Sequence, residues 1–171
     1  HLLGFSFSWE LDYSNIVSML EDMGIPVNAA DRGEEDPIVF GGGPVLTANP
    51  EPYAAWFDCV LVGDGEQLLG DFVETVHRVV NGGGSRMDVL DALCVVPGVY
   101  VPGFYEPVYD GVHIVDIKAL RGAPAYVEKQ TYRGDTLASS TVVSPRMAWE
   151  NIYMAEVVRS CPEMCRFCMA S

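Results

Sequence analysis

The sequence predicts an α/β fold with a parallel sheet, because short apolar segments that suit buried strands alternate with segments of helical periodicity. Three such strand–helix pairs follow one another over residues 1–81, joined by short loops. A glycine-rich loop follows each of the last two predicted strands. This alternation predicts parallel strands connected by right-handed crossovers, with helices on both faces of the sheet.

The first strand is predicted in the apolar and aromatic segment at residues 1–8. A helix follows from Asp12 to Met23, where apolar residues recur at helical spacing, and Gly24 ends it. The second strand, Pro37 to Phe40, leads into Gly41, Gly42, Gly43 and Pro44. A glycine loop at the carboxyl end of a strand is where doubly wound sheets bind ligands, although it also suits a tight turn.

The next helix is predicted to begin at Asn49, as N-cap, with Pro50 in its first turn. A third strand at residues 58–62 leads into Gly63, Asp64, Gly65 and Glu66, and an amphipathic helix of about four turns follows. A further short helix is predicted between Met87 and Val96.

The second half of the chain changes character. Proline, glycine, aromatic and β-branched residues dominate residues 97–132, which predicts short extended strands, and residues 133–145 have the polar composition of a linker. Residues 151–158 are predicted to form one more strand.

Composition limits the function. The chain of 171 residues is 49% hydrophobic and 20% charged, which is enough apolar material for a sizeable core. The formal net charge of −14 argues against binding to a phosphate backbone, so nucleic acid is not an expected partner. No run of apolar residues approaches the roughly 20 needed to span a bilayer, so we expect no membrane partner either.

The chemistry of the chain is concentrated in three cysteines near its end, Cys161, Cys165 and Cys168, spaced as Cys-x3-Cys-x2-Cys. Thiolates this close in sequence converge from one loop, and soft sulfur ligands suit iron–sulfur clusters, zinc and cuprous ions. Three local ligands on a [4Fe–4S] cluster leave one iron open for a further ligand.

Other uses of cysteine fit the sequence less well. A structural zinc site takes four ligands, usually as two pairs, and only Cys59 and Cys94 remain, each alone in an apolar segment typical of core cysteine. Five cysteines are an odd and sparse set for a disulfide framework. We therefore expect a reducing compartment and a cytoplasmic protein, with zinc kept as an alternative.

The cysteine motif resembles that of the radical S-adenosylmethionine (SAM) superfamily, Cys-x3-Cys-x-aromatic-Cys, in which Phe167 fills the aromatic position. The segment from Glu156 to Pro162 is similar to the first barrel strand and cluster loop of that superfamily. The resemblance implies that Cys161, Cys165 and Cys168 bind a [4Fe–4S] cluster. It further implies that the open iron binds SAM, that Phe167 lies near the adenine, and that an electron donor drives cleavage to a 5′-deoxyadenosyl radical acting on an unidentified substrate.

A second resemblance covers the first part of the chain. Residues 4–8, 40–44, 49–52 and 63–66 are similar to consecutive landmarks of the cobalamin-binding-type domain that precedes the barrel in many radical SAM proteins. That family implies a flavodoxin-like sheet of five parallel strands and possible cobalamin binding. The motif Asp-x-His-x-x-Gly, whose histidine coordinates cobalt in mutases, is absent from this chain. The implied ligand-facing positions are Gly41, Gly42, Gly43, Gly63, Asp64, Gly65 and Glu66.

These resemblances imply three regions. They are a partial cobalamin-binding-like α/β domain at residues 1–97, truncated at its N-terminus, a β-rich connector at 98–150, and the first strand and cluster loop of a radical SAM barrel at 151–171. We expect the chain to be the N-terminal portion of a longer enzyme and to be inactive alone. The alternatives are a ligand-binding α/β module, for cobalamin or for nothing, and a zinc or electron-transfer domain without SAM chemistry.

Overall fold

The computed structural model describes residues 1–134, 138–147, 149–159 and 161–168. The chain divides into two compact units, His1–Tyr132 and Arg133–Ser171. Over the described residues, no helix is long and apolar enough to cross a membrane.

The first unit is built on a four-stranded sheet. Its strands are β1 (Leu2–Ser6), β2 (Ile38–Gly42), β3 (Cys59–Leu61) and β4 (Val99–Tyr100), in the order β1-β2-β3-β4. β1, β2 and β3 are parallel, whereas β4 pairs antiparallel with β3. The predicted α/β class and parallel strands are confirmed, and the antiparallel β4 is the departure. β1 is an edge strand, and its residues are partly buried or exposed, rather than buried as predicted.

Four helices accompany the sheet: α1 (Tyr13–Asp22), α2 (Pro44–Ala48), α3 (Gly65–Asn81) and α4 (Arg86–Leu93). α1 ends in a Schellman motif: Gly24 has φ +68°, and the amide of Ile25 donates to the carbonyl of Leu20 (2.9 Å). α4 begins with a capping box, in which Ser85 and Asp88 bond each other's backbone amides.

The helix predicted from Asn49 is not an α-helix. α2 occupies Pro44–Ala48 instead, and a 3-10 helix follows at Glu51–Trp56. Asn49 ends α2, and its side-chain oxygen accepts a hydrogen bond from the amide of Glu51 (3.2 Å). Asn49 therefore forms a hydrogen bond like that of an N-cap, but this bond stabilises the start of the 3-10 helix and not of an α-helix.

Two hydrophobic cores lie on opposite faces of the sheet, because successive strand residues point to alternate sides. Val39 and Val60 pack with α1 and α2, together with Phe7, Leu20, Leu46 and Phe57. Ile38, Cys59 and Leu61 pack with α3 and α4 on the other face. This three-layer arrangement agrees with the prediction of helices on both faces.

A hairpin follows the sheet, formed by β5 (Tyr105–Asp110) and β6 (His113–Ala119), and it confirms the short strands predicted there. The chain then returns to the sheet, where Gln130 forms a parallel bridge with Gly63. β4 pairs with β3, and Gln130 pairs with the loop after β3, so both belong to the first unit. This unit therefore ends at residue 132, whereas the sequence predicted a boundary after residue 97.

In the second unit, the described residues contain neither a helix nor a strand. Ser139 and Ala155 form an isolated antiparallel bridge, flanked by a bond from the amide of Glu156 to the carbonyl of Ala138 (2.8 Å). The strand predicted at residues 151–158 is therefore wrong for this structure. A strand needs hydrogen-bonding partners along its length, whereas the described backbone bonds of residues 151–156 go to two separate places, residues 138–140 and Ser144.

Candidate functional site

The predicted glycine loops meet at the carboxyl ends of β1, β2 and β3. Gly41 and Gly42 lie within β2, whose last carbonyl accepts a hydrogen bond from the amide of Phe7 just after β1 (2.8 Å). Thr47 of α2 accepts a hydrogen bond from the amide of Gly63 through its hydroxyl (3.1 Å). The two loops are therefore neighbours at one edge of the sheet, where open α/β sheets bind ligands.

Gly43 is required by packing within the chain. It has φ +103°, and a Cβ there would lie 2.8 Å from the carbonyl oxygen of Phe7. Any larger residue would force α2 away from β1. Packing within the chain therefore explains the glycine at this position, and a bound ligand is not needed to explain it.

The second loop is covered by the chain itself. A Cβ on Gly63, which has φ +112°, would lie 2.1 Å from the carbonyl oxygen of Gln130. Asp64 stands at the N-cap position of α3, and its carboxylate accepts a hydrogen bond from the amide of Tyr132 (2.8 Å). By contrast, a Cβ on Gly65 would meet nothing within 4 Å, and Glu66 is exposed in the first turn of α3, where the helix dipole favours an acid.

The three cysteines of the motif lie in the second unit, with Cys161 partly buried and Cys165 and Cys168 exposed. The amide of Cys168 donates to the carbonyl of Cys165 (3.0 Å), which forms a turn between them. Phe167, in that turn, is 93% exposed. Within the described ranges of the chain, no group of three or more His, Cys, Asp or Glu side chains is arranged to hold a metal ion. The donor chemistry of three thiols fits an iron–sulfur cluster, but the structure does not gather the thiols into a cage.

An ion pair stands just before the motif. The guanidinium of Arg159 bonds both carboxylate oxygens of Glu156, at 2.7 and 2.8 Å. The same carboxylate accepts a hydrogen bond from the amide of Ala138 (3.1 Å). These contacts, that of Arg159 above all, lower the pKa of Glu156 from 4.5 to about 2. The pair joins the residues before the cysteines to the 138–140 segment.

At the opposite edge of the sheet, a buried charge cluster was not predicted from the sequence. Asp58, directly before β3, lies 2.9 Å from Arg32 Nη1 and 2.7 Å from Arg86 Nη2, and its Oδ2 accepts the amide of Val39 (2.7 Å). The Arg86 contact is an ion pair without hydrogen-bond geometry. Arg32 also donates to three backbone carbonyls, of Pro26, Val27 and Trp56.

Burial lowers the pKa of Arg32, and Asp58 opposes that shift. The cluster lies at the amino ends of β2 and β3, away from the carboxyl ends where open α/β sheets in general bind ligands, and its groups are engaged with one another. We interpret it as structural. The sequence signal is weak, since Arg32 and Asp58 lie in two separate loops and Arg86 begins α4.

The remaining cysteines, Cys59 and Cys94, are buried in the core between the sheet and α3 and α4, as predicted. Burial raises the pKa of the Cys59 thiol well above its usual range, and the adjacent Asp58 acts in the same direction. Neither thiol is suited to metal binding in this position.

Comparison with known proteins bears on the first unit. No curated protein and no solved structure matches the chain. A family model described as "Radical SAM proteins, N-terminal" matches residues 1–102, which is more than half of the chain and covers the whole four-stranded sheet. The chain therefore belongs to the radical SAM protein family whose N-terminal region this model describes.

Proposed function

We propose that the chain is part of a radical SAM enzyme, in which Cys161, Cys165 and Cys168 hold a [4Fe–4S] cluster that binds and reductively cleaves SAM. The observation that carries this proposal is the Cys-x3-Cys-x2-Cys spacing downstream of the family-matched region. The matched residues 1–102 contain none of these cysteines, so the motif and the family match are separate observations. A zinc or electron-transfer domain without SAM chemistry is not favoured by that match.

Each residue has a distinct role in this proposal. The three thiols, once deprotonated, would hold three irons of the cluster, and the fourth iron would be open to the amino and carboxylate groups of SAM. The bound cluster would supply the electron that cleaves SAM to methionine and a 5′-deoxyadenosyl radical. Phe167 offers an exposed aromatic ring beside the last ligand, suited to contact with adenine. The radical would act on a substrate, a small molecule or another group, and an electron donor in the cytoplasm would reduce the cluster.

The strand order of the first unit supports a cobalamin-binding-type, flavodoxin-like assignment for it. Flavodoxin-like sheets have the order 2-1-3-4-5, in which the last three strands are sequential neighbours. β1, β2 and β3 are parallel sequential neighbours and place their glycine loops at one edge. We therefore propose cobalamin as a second ligand of the protein, at this edge, and propose that the chain forms the N-terminal part of the enzyme.

The test of the cluster is iron and sulfide content with an electronic spectrum after anaerobic reconstitution, on this chain and on the full gene product. We expect about four irons per chain, lost in Cys165→Ala, and a spectrum that changes on addition of SAM. Cys94→Ala is the matched control, because it removes one thiol from the core and leaves the motif intact. Stoichiometric zinc, or iron equally bound by Cys165→Ala, would contradict the proposal.

Cobalamin is tested separately, by absorbance of hydroxocobalamin titrated with the protein. A saturable spectral change with one equivalent supports the second ligand. An unchanged spectrum in the full gene product excludes it and leaves the cluster proposal untouched.

A further inference from the structure

Residues 128–132 cross the loop after β3, and Gln130 forms backbone hydrogen bonds with this loop in the pattern of a parallel strand. The amide of Gln130 donates to the carbonyl of Val62 (3.0 Å), and the amide of Asp64 donates to the carbonyl of Gln130 (3.0 Å). The amide of Tyr132 donates to the carboxylate of Asp64 (2.8 Å). The segment therefore pairs with residues 62–64 in the manner of an added strand.

Two glycines make room for this segment. A Cβ on Gly63 would lie 2.1 Å from the Gln130 carbonyl oxygen, and a Cβ on Gly98 would lie 2.4 Å from Cγ of Gln130. Both glycines have positive φ, +112° and +85°, so a side chain at either would strain the backbone as well. The loop after β3 and the turn before β4 therefore both have glycine where residue 130 approaches closely.

The segment is held by polar contacts and not by a buried side chain. Glu128, Lys129 and Thr131 are exposed, and Gln130 and Tyr132 are only partly buried. Segments with few buried apolar contacts open locally at lower free energy than the core to which they attach. Residues 128–132 therefore have the features of a segment that can separate from the sheet while the sheet stays folded.

We propose that residues 128–132 form a latch that closes the loop after β3 and opens without unfolding the sheet. The closed latch occupies the Val62 carbonyl and the Asp64 amide, at the edge where α/β sheets bind ligands. A ligand of residues 63–66 then binds only the open fraction of molecules, and its apparent affinity falls by that fraction. The hydrogen bonds that define the latch join residues 62–64 to residues 130–132, so its test does not depend on the cluster.

Trypsin cleavage after Lys129 tests the latch, because that side chain is exposed while the next amide is bonded to Val62. We expect slow cleavage in the native protein and an increase of about tenfold in Gly63→Ala, the equivalent of one lost hydrogen bond. Gly65→Ala is the matched control two residues away, where a Cβ meets nothing within 4 Å, and it should cleave at the native rate. Equal rates in Gly63→Ala and the native protein would overturn the proposal.

Hydrogen exchange of the native protein provides the second measurement and needs no variant. The amides of Asp64, Gln130 and Tyr132 should exchange together, more slowly than residues 133–134 and faster than the core amide of Val39. Exchange as fast as at residues 133–134 would show that no latch forms. Exchange as slow as at Val39 would show that the segment belongs to the core, and either result refutes the proposal.

Discussion

Asp58→Ala tests the role of the buried charge cluster at the amino edge of the sheet. The side chain of Asp58 is 3% exposed and that of Arg32 is fully buried, whereas Arg86 is 9% exposed. Removal of the carboxylate leaves two buried guanidinium groups without their counter-charge and the amide of Val39 without its acceptor. Breaking a buried ion pair from one side costs ~3–5 kcal/mol, which is a large share of the ~5–15 kcal/mol that stabilises a typical domain.

Urea unfolding followed by tryptophan fluorescence measures this loss, since Trp56 contributes its carbonyl to Arg32. With a slope of ~2 kcal/mol/M, the midpoint should fall by ~1.5–2.5 M. Asp58→Asn should lose less, because the amide oxygen still accepts one hydrogen bond while the charge is lost. Arg32 keeps its three backbone carbonyls in either variant, so we expect a less stable fold and not a different one.

Asp91→Ala is the control, because it breaks the ion pair between Asp91 and Arg121 at the surface of the same unit, where the side chains are 35% and 45% exposed. Exposed pairs contribute little, so its midpoint should hardly change. If Asp58→Ala and Asp91→Ala shifted the midpoint equally, the cluster would not stabilise the fold as we infer. An unchanged midpoint in Asp58→Ala would refute the reasoning outright.

Three further predictions concern two glycines, the Glu156 carboxyl group and the cysteines. Gly43→Ala should lower the free energy of unfolding by ~1–3 kcal/mol, because of its φ and the contact with Phe7, whereas Gly70→Ala in α3 should raise it by ~0.5–1 kcal/mol; thermal unfolding of both separates the two effects. The Glu156 carboxyl should titrate near pH 2 by carbon-detected NMR and return toward 4.5 in Arg159→Met; since its pKa is depressed in the fold, any stability it contributes is present above pH 4.5 and lost as the pH falls toward 2. A thiol reagent should modify the three motif cysteines in the native protein and the two core cysteines only after unfolding; rapid native modification of all five would contradict their burial.

The elements that the sequence predicted well are those with a periodic apolar pattern. Successive residues of β2 and β3 point to two different cores, and α3 presents Leu68, Phe72 and Val76 on one face. The sequence of each element therefore has a pattern that indicates which of its residues are buried. α2 has only five residues and begins directly after a glycine, which leaves too little pattern to detect. The strand expected at residues 151–158 has a suitable composition, but a strand forms only where a partner is available, and composition does not report the partner.

The function of a glycine loop is also hard to predict from sequence. A glycine that admits a ligand and a glycine that admits the protein's own backbone have one sequence signature, since both need φ above zero or a missing Cβ. Gly63 is read as ligand-facing until Gln130 is placed against it, and the bonded residues Asp64 and Tyr132 are 68 positions apart. Contacts over such separations leave no periodic trace, which is also why the Arg32, Asp58 and Arg86 cluster was missed.

The cysteine motif differs from these cases because all of its proposed ligands lie within eight residues. Its spacing suggests a chemistry without any long-range contact, so the donors can be proposed from the sequence even though, within the described residues, the structure does not arrange the three thiols as a metal site. A metal-binding loop of this kind gains its geometry from the bound metal, as ligand binding and local folding are coupled. If the proposal is right, iron uptake should therefore order residues 161–168.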